Sequence, residues 1–197
     1  MSPLPRLILA TRNAHKTAEV RALVGGRFEV LDATAFPAWP AIAETGTTFL
    51  DNARLKALGI SRLIDGWVLS DDSGLEVDAL GGAPGVGSSS YGGEEGNHMR
   101  NNARLLDELR GRSGRRGRFC CTMVLARHGH EEAHFTGTVE GRIIETARGG
   151  HGFGYDPLFI PEGYEQTFAE LGEEVKNTLS HRARALAKAL DFLDHVI

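Results

Sequence analysis

The chain has 197 residues, 41% hydrophobic and 24% charged, with 22 Lys and Arg against 26 Asp and Glu. This is globular usage at the size of one domain, with two associated lobes as the upper bound, and it excludes disordered and fibrous architectures. The net charge of −4 argues against bulk binding of nucleic acid, and no apolar stretch approaches the roughly 18 residues that span a bilayer. The start, Met1-Ser2-Pro3-Leu4-Pro5-Arg6, carries no signal-peptide pattern. Cys120 and Cys121 are adjacent, and strand neighbours face opposite ways, so neither a disulfide nor a zinc site is expected of them. These features lead us to expect a soluble protein of the reducing cytoplasm.

Residues 6–10 read as a buried strand, followed by a turn at Thr11-Arg12-Asn13. A helix is expected over 15–24, with Val20, Leu23 and Val24 on one face and Gly25-Gly26 ending it. A short strand covers 28–31, and Pro37 and Pro40 mark an irregular stretch. Thr47 or Thr48 can cap a helix running to about residue 64, which buries Phe49, Ala53, Ala57, Ile60 and Ile64. Trp67-Val68-Leu69-Ser70 is an apolar strand expected to end in Asp71-Asp72-Ser73-Gly74. A helix over 95–110 and strands over 119–126 and 135–144 follow. The last helix begins near Thr178 or Ser180, with Leu179, Ala183, Leu186, Leu190 and Leu193 on one stripe. Strands alternating with helices make an α/β fold.

Glycine is the compositional outlier, 25 of 197 residues against a usual share of about 7%. It gathers at 81–87, 92–93 and 149–154, in loops where backbone is brought close to a ligand or to another strand.

Five constellations could carry chemistry. Thr11-Arg12-Asn13-Ala14-His15-Lys16 lies between strand and helix, where unpaired N–H groups and a first-turn lysine suit an anion; a capped helix with a surface lysine is the plain alternative. Asp71 and Asp72 are costly at a strand terminus unless they hold a hard cation such as Mg²⁺, activate water, or lie in a solvated turn. Glu44 precedes a helix whose Asn52 and Lys56 share one face. In Gly152-Phe153-Gly154-Tyr155-Asp156-Pro157 an aromatic between glycines could lie against a flat ring, or simply be buried in a tight turn. Lys176, with Ser180-His181-Arg182 at a helix start, offers donors for a keto oxygen or phosphate. Arg110, Arg112, Arg115, Arg116 and Arg118 form a basic loop without interleaved aromatics, which reads as solvated rather than as a nucleic-acid surface.

Read together, these segments resemble the inosine triphosphate pyrophosphatase family. The resemblance is carried by TRNAHK (11–16), ETGTTF (44–49), NARLKA (52–57), SDDSGLEVDALGGAPG (70–85), GGHGFGYDPLFIP (149–161), TFAEL (167–171) and KNTLSHRARAL (176–186). It covers nearly the whole chain, and SDDSGLEVD, FGYDP and SHR in that order form a specific combination.

The resemblance implies an elongated mixed sheet flanked by helices, in two lobes with a central cleft. Residues 1–197 would then be a single pyrophosphatase domain, usually a homodimer. The implied activity is Mg²⁺-dependent hydrolysis of deaminated purine triphosphates (dITP, ITP, XTP) to monophosphate and pyrophosphate, cleansing the nucleotide pool. Thr11, Arg12, Asn13, Ala14, His15 and Lys16 would hold phosphates with help from Lys56. Glu44 and Asp72 would position the metal, Asp72 would accept the proton, and Asp71 would support them. Ser73 would touch substrate, and Phe153, Gly154, Tyr155, Asp156, Lys176, His181 and Arg182 would form the base pocket. Lys16, Lys56 and Lys176 are expected as counter-charges to the triphosphate.

Two departures stand out. Arg12 occupies a position where the family more often has glycine, and Gly87 and Ser90 stand where it typically has an aromatic and an arginine. If Arg12 compensates for the missing cation, Arg12→Gly raises the KM for ITP. A pyrophosphatase for pyrimidine or modified nucleotides, and a catalytically silent nucleotide-binding protein, are the alternatives.

Overall fold

The computed structural model describes residues 4–197; Met1, Ser2 and Pro3, part of the start without a signal pattern, lie outside the described residues. The order is β1 (Arg6–Leu9), α1 (Ala14–Val24), β2 (Glu29–Asp32), α2 (Phe49–Ser61), β3 (Trp67–Val77), α3 (His98–Glu108), β4 (Arg116–Arg127), β5 (His130–Ile143), β6 (Phe159–Pro161), α4 (Phe168–Leu179) and α5 (His181–Val196). The strands form one sheet in the order β2-β1-β3-β4-β5-β6. β1 pairs in parallel with β2 and β3, and β5 pairs antiparallel with β6, so the sheet is mixed, as expected.

The chain divides into two compact units. The first comprises residues 1–72, 121–136 and 183–197, and the second comprises 73–120 and 137–182.

In the first unit, strand alternation sorts the apolar side chains onto two faces. Leu7 and Leu9 of β1, Leu69 of β3, and Cys121, Met123 and Leu125 of β4 pack with Val20 and Val24 of α1 and with Ala185, Leu186, Ala189, Leu190 and Leu193 of α5. Their neighbours face the other way. Ile8 and Val68 cluster with Ile60 of α2, and Val124 and Ala126 with Ala53 and Ala57. The first unit thus has helices on both sheet faces, α1 and α5 against one and α2 against the other.

In the second unit Leu75 and Val77 of β3, Leu105 of α3, Leu109 just beyond it, and Phe119, Val139, Ile143, Leu158, Phe159 and Phe168 form the core. Three of its rings pack together: Phe119 meets Phe159 edge-on at 4.7 Å, and Phe159 stacks on Phe168 at 5.4 Å.

Several boundaries differ from the sequence reading. α1 ends as expected, at Gly25 in the left-handed region (φ 62°). α2 stops at Ser61 rather than near residue 64, because the Ser61 hydroxyl donates to the Leu58 carbonyl and accepts from Gly129 N–H. α3 starts at His98, since Gly96 takes φ 73° and the Asn97 side chain caps Arg100 N–H. β3 does not end at Ser70 but continues to Val77, placing both aspartates in its interior. β4 and β5 are longer than expected and join through His128 (φ 51°) and Gly129 (φ 79°), a two-residue turn of the kind that tight hairpins use.

α4 is a helix that the apolar spacing does not announce, although the TFAEL motif (167–171) lies at its start. α4 is interrupted at Gly172 (φ 78°, ψ 177°) and begins with a capping box. Thr167 Oγ1 accepts from Glu170 N–H, and the Glu170 carboxylate accepts from Thr167 N–H. The same hydroxyl donates to the Arg148 carbonyl at 2.8 Å. We predict that Thr167→Ala costs about 1–2 kcal/mol, a loss the sequence-conservative Thr167→Ser avoids. Thermal unfolding followed by circular dichroism checks this, and equal midpoints for all three proteins contradict it.

Candidate active site

The first unit gathers a cluster of opposite charges around β3. Asp71 lies on the Leu69 side, facing α1, and its Oδ2 is 3.0 Å from Lys16 Nζ. The Cys121 thiol approaches the same oxygen at 4.0 Å. Asp72 lies on the Val68 side, facing α2, where Asn52 Nδ2 donates to its Oδ2 at 3.2 Å. Lys56 Nζ stands 3.6 Å from Asp72 Oδ1 and 2.8 Å from Glu44 Oε2. Asn52 and Lys56 come from successive turns of α2, so one helix face meets Asp72 twice.

The surroundings tune these groups. Burial pushes the Asp72 carboxyl up to about 6, with the Glu44 charge adding to it and the Lys56 and Lys16 charges opposing. Burial pulls the Lys56 ammonium down, but the carboxylates of Asp72, Asp71 and Glu44 outweigh it and hold it above its ordinary value.

The turn before α1 is ordered by its own side chains. Thr11 Oγ1 accepts from Asn13 N–H, and Asn13 Oδ1 caps the helix by accepting from His15 and Lys16 N–H groups at 3.0 and 3.2 Å. Ala14 is the first helical residue. Arg12 donates to the Trp39 carbonyl at 3.0 Å, and the Trp39 ring stacks on Phe36 at 3.9 Å.

The second unit holds the remaining candidates. Asp156 Oδ2 accepts from Phe153 N–H at 2.9 Å and from Lys176 Nζ at 2.7 Å. Both members of this ion pair are buried, and the ammonium also lies 4.6 Å from the centre of the Phe153 ring. A Cβ at Gly152, which takes φ 74°, would overlap the Asp156 carboxylate, so only glycine lets the chain close on it. Gly154 also takes a positive φ of 65°.

Arg182, almost fully buried, donates to Ser73 Oγ at 2.8 Å, and its guanidinium lies 6.0 Å from the Phe153 ring. His181 stacks on Phe119 at 4.9 Å and 11°. The Tyr155 hydroxyl donates to the Ser88 carbonyl, anchoring its loop, and burial pushes this phenol well above its ordinary value.

Of the family departures, Gly87 lies in a short 3-10 turn with open space where a Cβ would stand, and Ser90 is exposed. Within the basic stretch, Arg118 meets Glu140, Asp78 and Glu76, and Arg115 meets Glu145.

Among the described residues no group of three or more His, Cys, Asp or Glu could by itself hold a metal ion. Glu44 and Asp72 nevertheless fit one kind of cation. They are hard-oxygen donors brought together on Lys56, and Mg²⁺ needs only one or two carboxylates when waters and phosphate oxygens complete its shell. The spacing of four placed Asn52 on one helix face with Lys56 but gave it no role; in the structure its amide meets Asp72.

Fold and cluster together define an α/β protein whose buried carboxylates and lysines suit a phosphorylated ligand. The chain belongs to the Ham1 family, whose model matches residues 7–192. It is 47% identical over 188 residues to a dITP/XTP pyrophosphatase of Geobacillus kaustophilus, covering 94% of this chain and 92% of that protein. It is 44% identical over 194 residues to the dITP/XTP pyrophosphatase of Bacillus licheniformis, covering 97% and 99%. Among solved structures, the Ham1 protein of Staphylococcus aureus matches with a TM-score of 0.88 at 33% identity, over 98% of this chain and 100% of that one.

The position of Asp72 has a stability consequence. A carboxyl whose folded value is raised favours folding below its unfolded value of 3.8, and that contribution is lost as pH rises through about 6. At pH 7.5 the buried charge therefore opposes folding. In the presence of EDTA we expect Asp72→Asn to raise stability at pH 7.5 by an amount on the order of 1–3 kcal/mol. The gain should close toward pH 4, and denaturant melts at both pH values check it. A variant less stable than wild type at pH 7.5 contradicts the assignment of burial as the dominant effect.

Proposed function

We propose that this protein hydrolyses deaminated purine nucleoside triphosphates, dITP, ITP and XTP, to the monophosphate and pyrophosphate. The supporting observation is the Lys16–Asp71 and Glu44–Lys56–Asp72 cluster, in a chain of 43–47% identity to dITP/XTP pyrophosphatases over nearly its whole length. On this reading residues 1–197 act as one pyrophosphatase domain. The net charge of −4 and the pairing of Arg115 and Arg118 with carboxylates support a nucleotide rather than a nucleic acid as partner. Family resemblance supports a cytoplasmic homodimer; no helix among the described residues is long and apolar enough to cross a membrane.

The turn at Thr11–Lys16, with Lys16 and Lys56, binds the triphosphate and offsets its charge. Glu44 and Asp72 would hold Mg²⁺, which when bound would polarise the phosphoryl oxygens and neutralise charge developing on them. Asp72 accepts the proton of the attacking water through Oδ1, the oxygen not tied to the Asn52 amide. In the cation-free protein burial raises this carboxyl to about 6. The water oxygen bonds to the α-phosphorus, the bond from that phosphorus to the bridging oxygen of the β-phosphate breaks, and pyrophosphate leaves. Asp71 holds Lys16 in place.

In the second unit the Phe153 ring, held by the Asp156 bond to its backbone and by the nearby Lys176 ammonium, is the stacking surface for the base. His181 and Arg182 supply donors, and Ser73 orients Arg182 and touches substrate. Hypoxanthine and xanthine present a keto oxygen at the 6-position, where adenine presents an amino group that a donor cannot satisfy. A site built on such a hydrogen bond discriminates by orders of magnitude. Guanine shares the keto oxygen, so its exclusion acts at the 2-position.

Pyrophosphate release from ITP, XTP, GTP, ATP and dTTP, with Mg²⁺ or EDTA, tests this reading on wild type and Asp72→Asn. We expect Mg²⁺-dependent release from ITP and XTP, at least about 100-fold above ATP and GTP. Asp72→Asn should lower kcat by about 10²–10⁴-fold. Preference for dTTP would reassign the chain to pyrimidine or modified nucleotides. Binding of ITP without release would make it a silent nucleotide-binding protein.

A further inference from the structure

Asn52 is 3% exposed and lies at the centre of the cluster, yet it can neither titrate nor donate charge. Both ends of its amide are used. Oδ1 accepts from Gly46 N–H at 2.8 Å, and Nδ2 donates to Asp72 Oδ2 at 3.2 Å. Gly46 lies two residues beyond Glu44, so one side chain ties the loop that carries Glu44 to the strand that carries Asp72. The loop lies so close to α2 that a Cβ on Gly46 would stand 2.5 Å from Asp51 Cβ and 2.8 Å from Asn52 Oδ1. One turn further along the helix, Lys56 spans the same two carboxylates.

The two spacers differ in kind. Lys56 draws the carboxylates together by charge, and a divalent cation between them competes with it. The Asn52 amide is neutral and binds the Gly46 backbone on one side and Oδ2 of Asp72 on the other, leaving Oδ1 to Lys56. It can therefore keep its hydrogen bonds whether or not a cation is present. A buried amide with both ends engaged also has only one orientation that satisfies its donors and acceptors.

We propose that Asn52 is the positioning residue of the cation site: it sets the separation and orientation of Glu44 and Asp72 before a divalent ion arrives. This rests on the reading of Glu44 and Asp72 as cation-holding residues. Groups that hold the ligands of a metal typically matter by 10–100-fold in its affinity.

The test is Mn²⁺ affinity of the full-length protein without nucleotide, read by electron paramagnetic resonance of the unbound ion. The variants are Asn52→Ala, Gly46→Ala, Glu44→Gln and Asp72→Asn. Gly46→Ala leaves the buried Asn52 in place and pushes a surface loop away from it, so it reports on the tether even if Asn52→Ala fails to fold. We expect Asn52→Ala and Gly46→Ala each to weaken Mn²⁺ binding at least 10-fold. For ITP hydrolysis, excess metal should restore kcat more fully than in Asp72→Asn. If Glu44→Gln and Asp72→Asn weaken binding while both tether variants stay within 2-fold of wild type, the positioning role is overturned. If Glu44→Gln and Asp72→Asn leave Mn²⁺ binding unchanged, the cation site itself is overturned, and the inference with it.

Discussion

The candidate chemistry of the first unit depends on the alternation of side chains along β3. Asp71 and Asp72 are neighbours in sequence, but a strand turns successive side chains to opposite faces, so each makes its close ion pair on its own side. A buried carboxylate left without one costs several kcal/mol. Each is met from its own side: Asp71 by Lys16 of α1, and Asp72 by Lys56 and Asn52 of α2. This arrangement needs helices on both faces of the sheet, which Leu7 and Leu9 on one side, and Ile8 and Val68 on the other, provide. The charge-bearing stretch of β3 therefore continues the apolar alternation that precedes it.

The second unit solves a related problem with one pair. Asp156 and Lys176 are both buried, and the carboxylate is shared between the Lys176 ammonium and the Phe153 N–H. An ion pair in this position adds little to net stability, since desolvation offsets much of its attraction. Its clearer effect is to fix Phe153, whose backbone is held by the acid and whose ring lies over the base. Gly152 permits this by leaving room for the carboxylate. The Lys176 charge is thus paired within the fold, with Asp156.

Much of this was legible in the sequence, and the misses have physical causes. β1, α1, the cap at Thr48 and the α5 stripe followed from apolar spacing and capping residues, except that Leu179, expected on that stripe, ends α4, and α5 begins at His181. The aspartate pair looked like a strand end because adjacent charges normally mark solvent, and only the lysines, distant in sequence at 16 and 56, make a strand interior tolerable there. The first half of β5 was missed because it is edged with charge: His130, Glu132 and His134 are exposed, so no apolar period announces it. α4 carries a legible capping box at Thr167 and Glu170, but Gly172 interrupts its period after one turn. The motifs gave the site residues without giving their partners. Asn52 illustrates this, since its role exists only through Gly46 and Asp72, which the chain brings to it.

The charges of the first unit's cluster bear on what it can bind. Asp71, Asp72 and Glu44 against Lys16 and Lys56 leave one net negative charge, close enough to balance for a largely buried group to stay folded without a ligand. A triphosphate adds about four negative charges, which two already engaged lysines cannot offset alone. If Glu44 and Asp72 held a divalent cation, the net charge of the cluster would change sign and Lys56 would have a competitor for both carboxylates. The raised carboxyl of Asp72 and the raised ammonium of Lys56 are two aspects of that near balance: burial strains the acid, and the acids hold the proton on the base. Burial sets the high proton affinity of the cation-free Asp72 carboxyl, and the charges around it, Glu44 raising it and Lys56 and Lys16 lowering it, only trim what burial imposes.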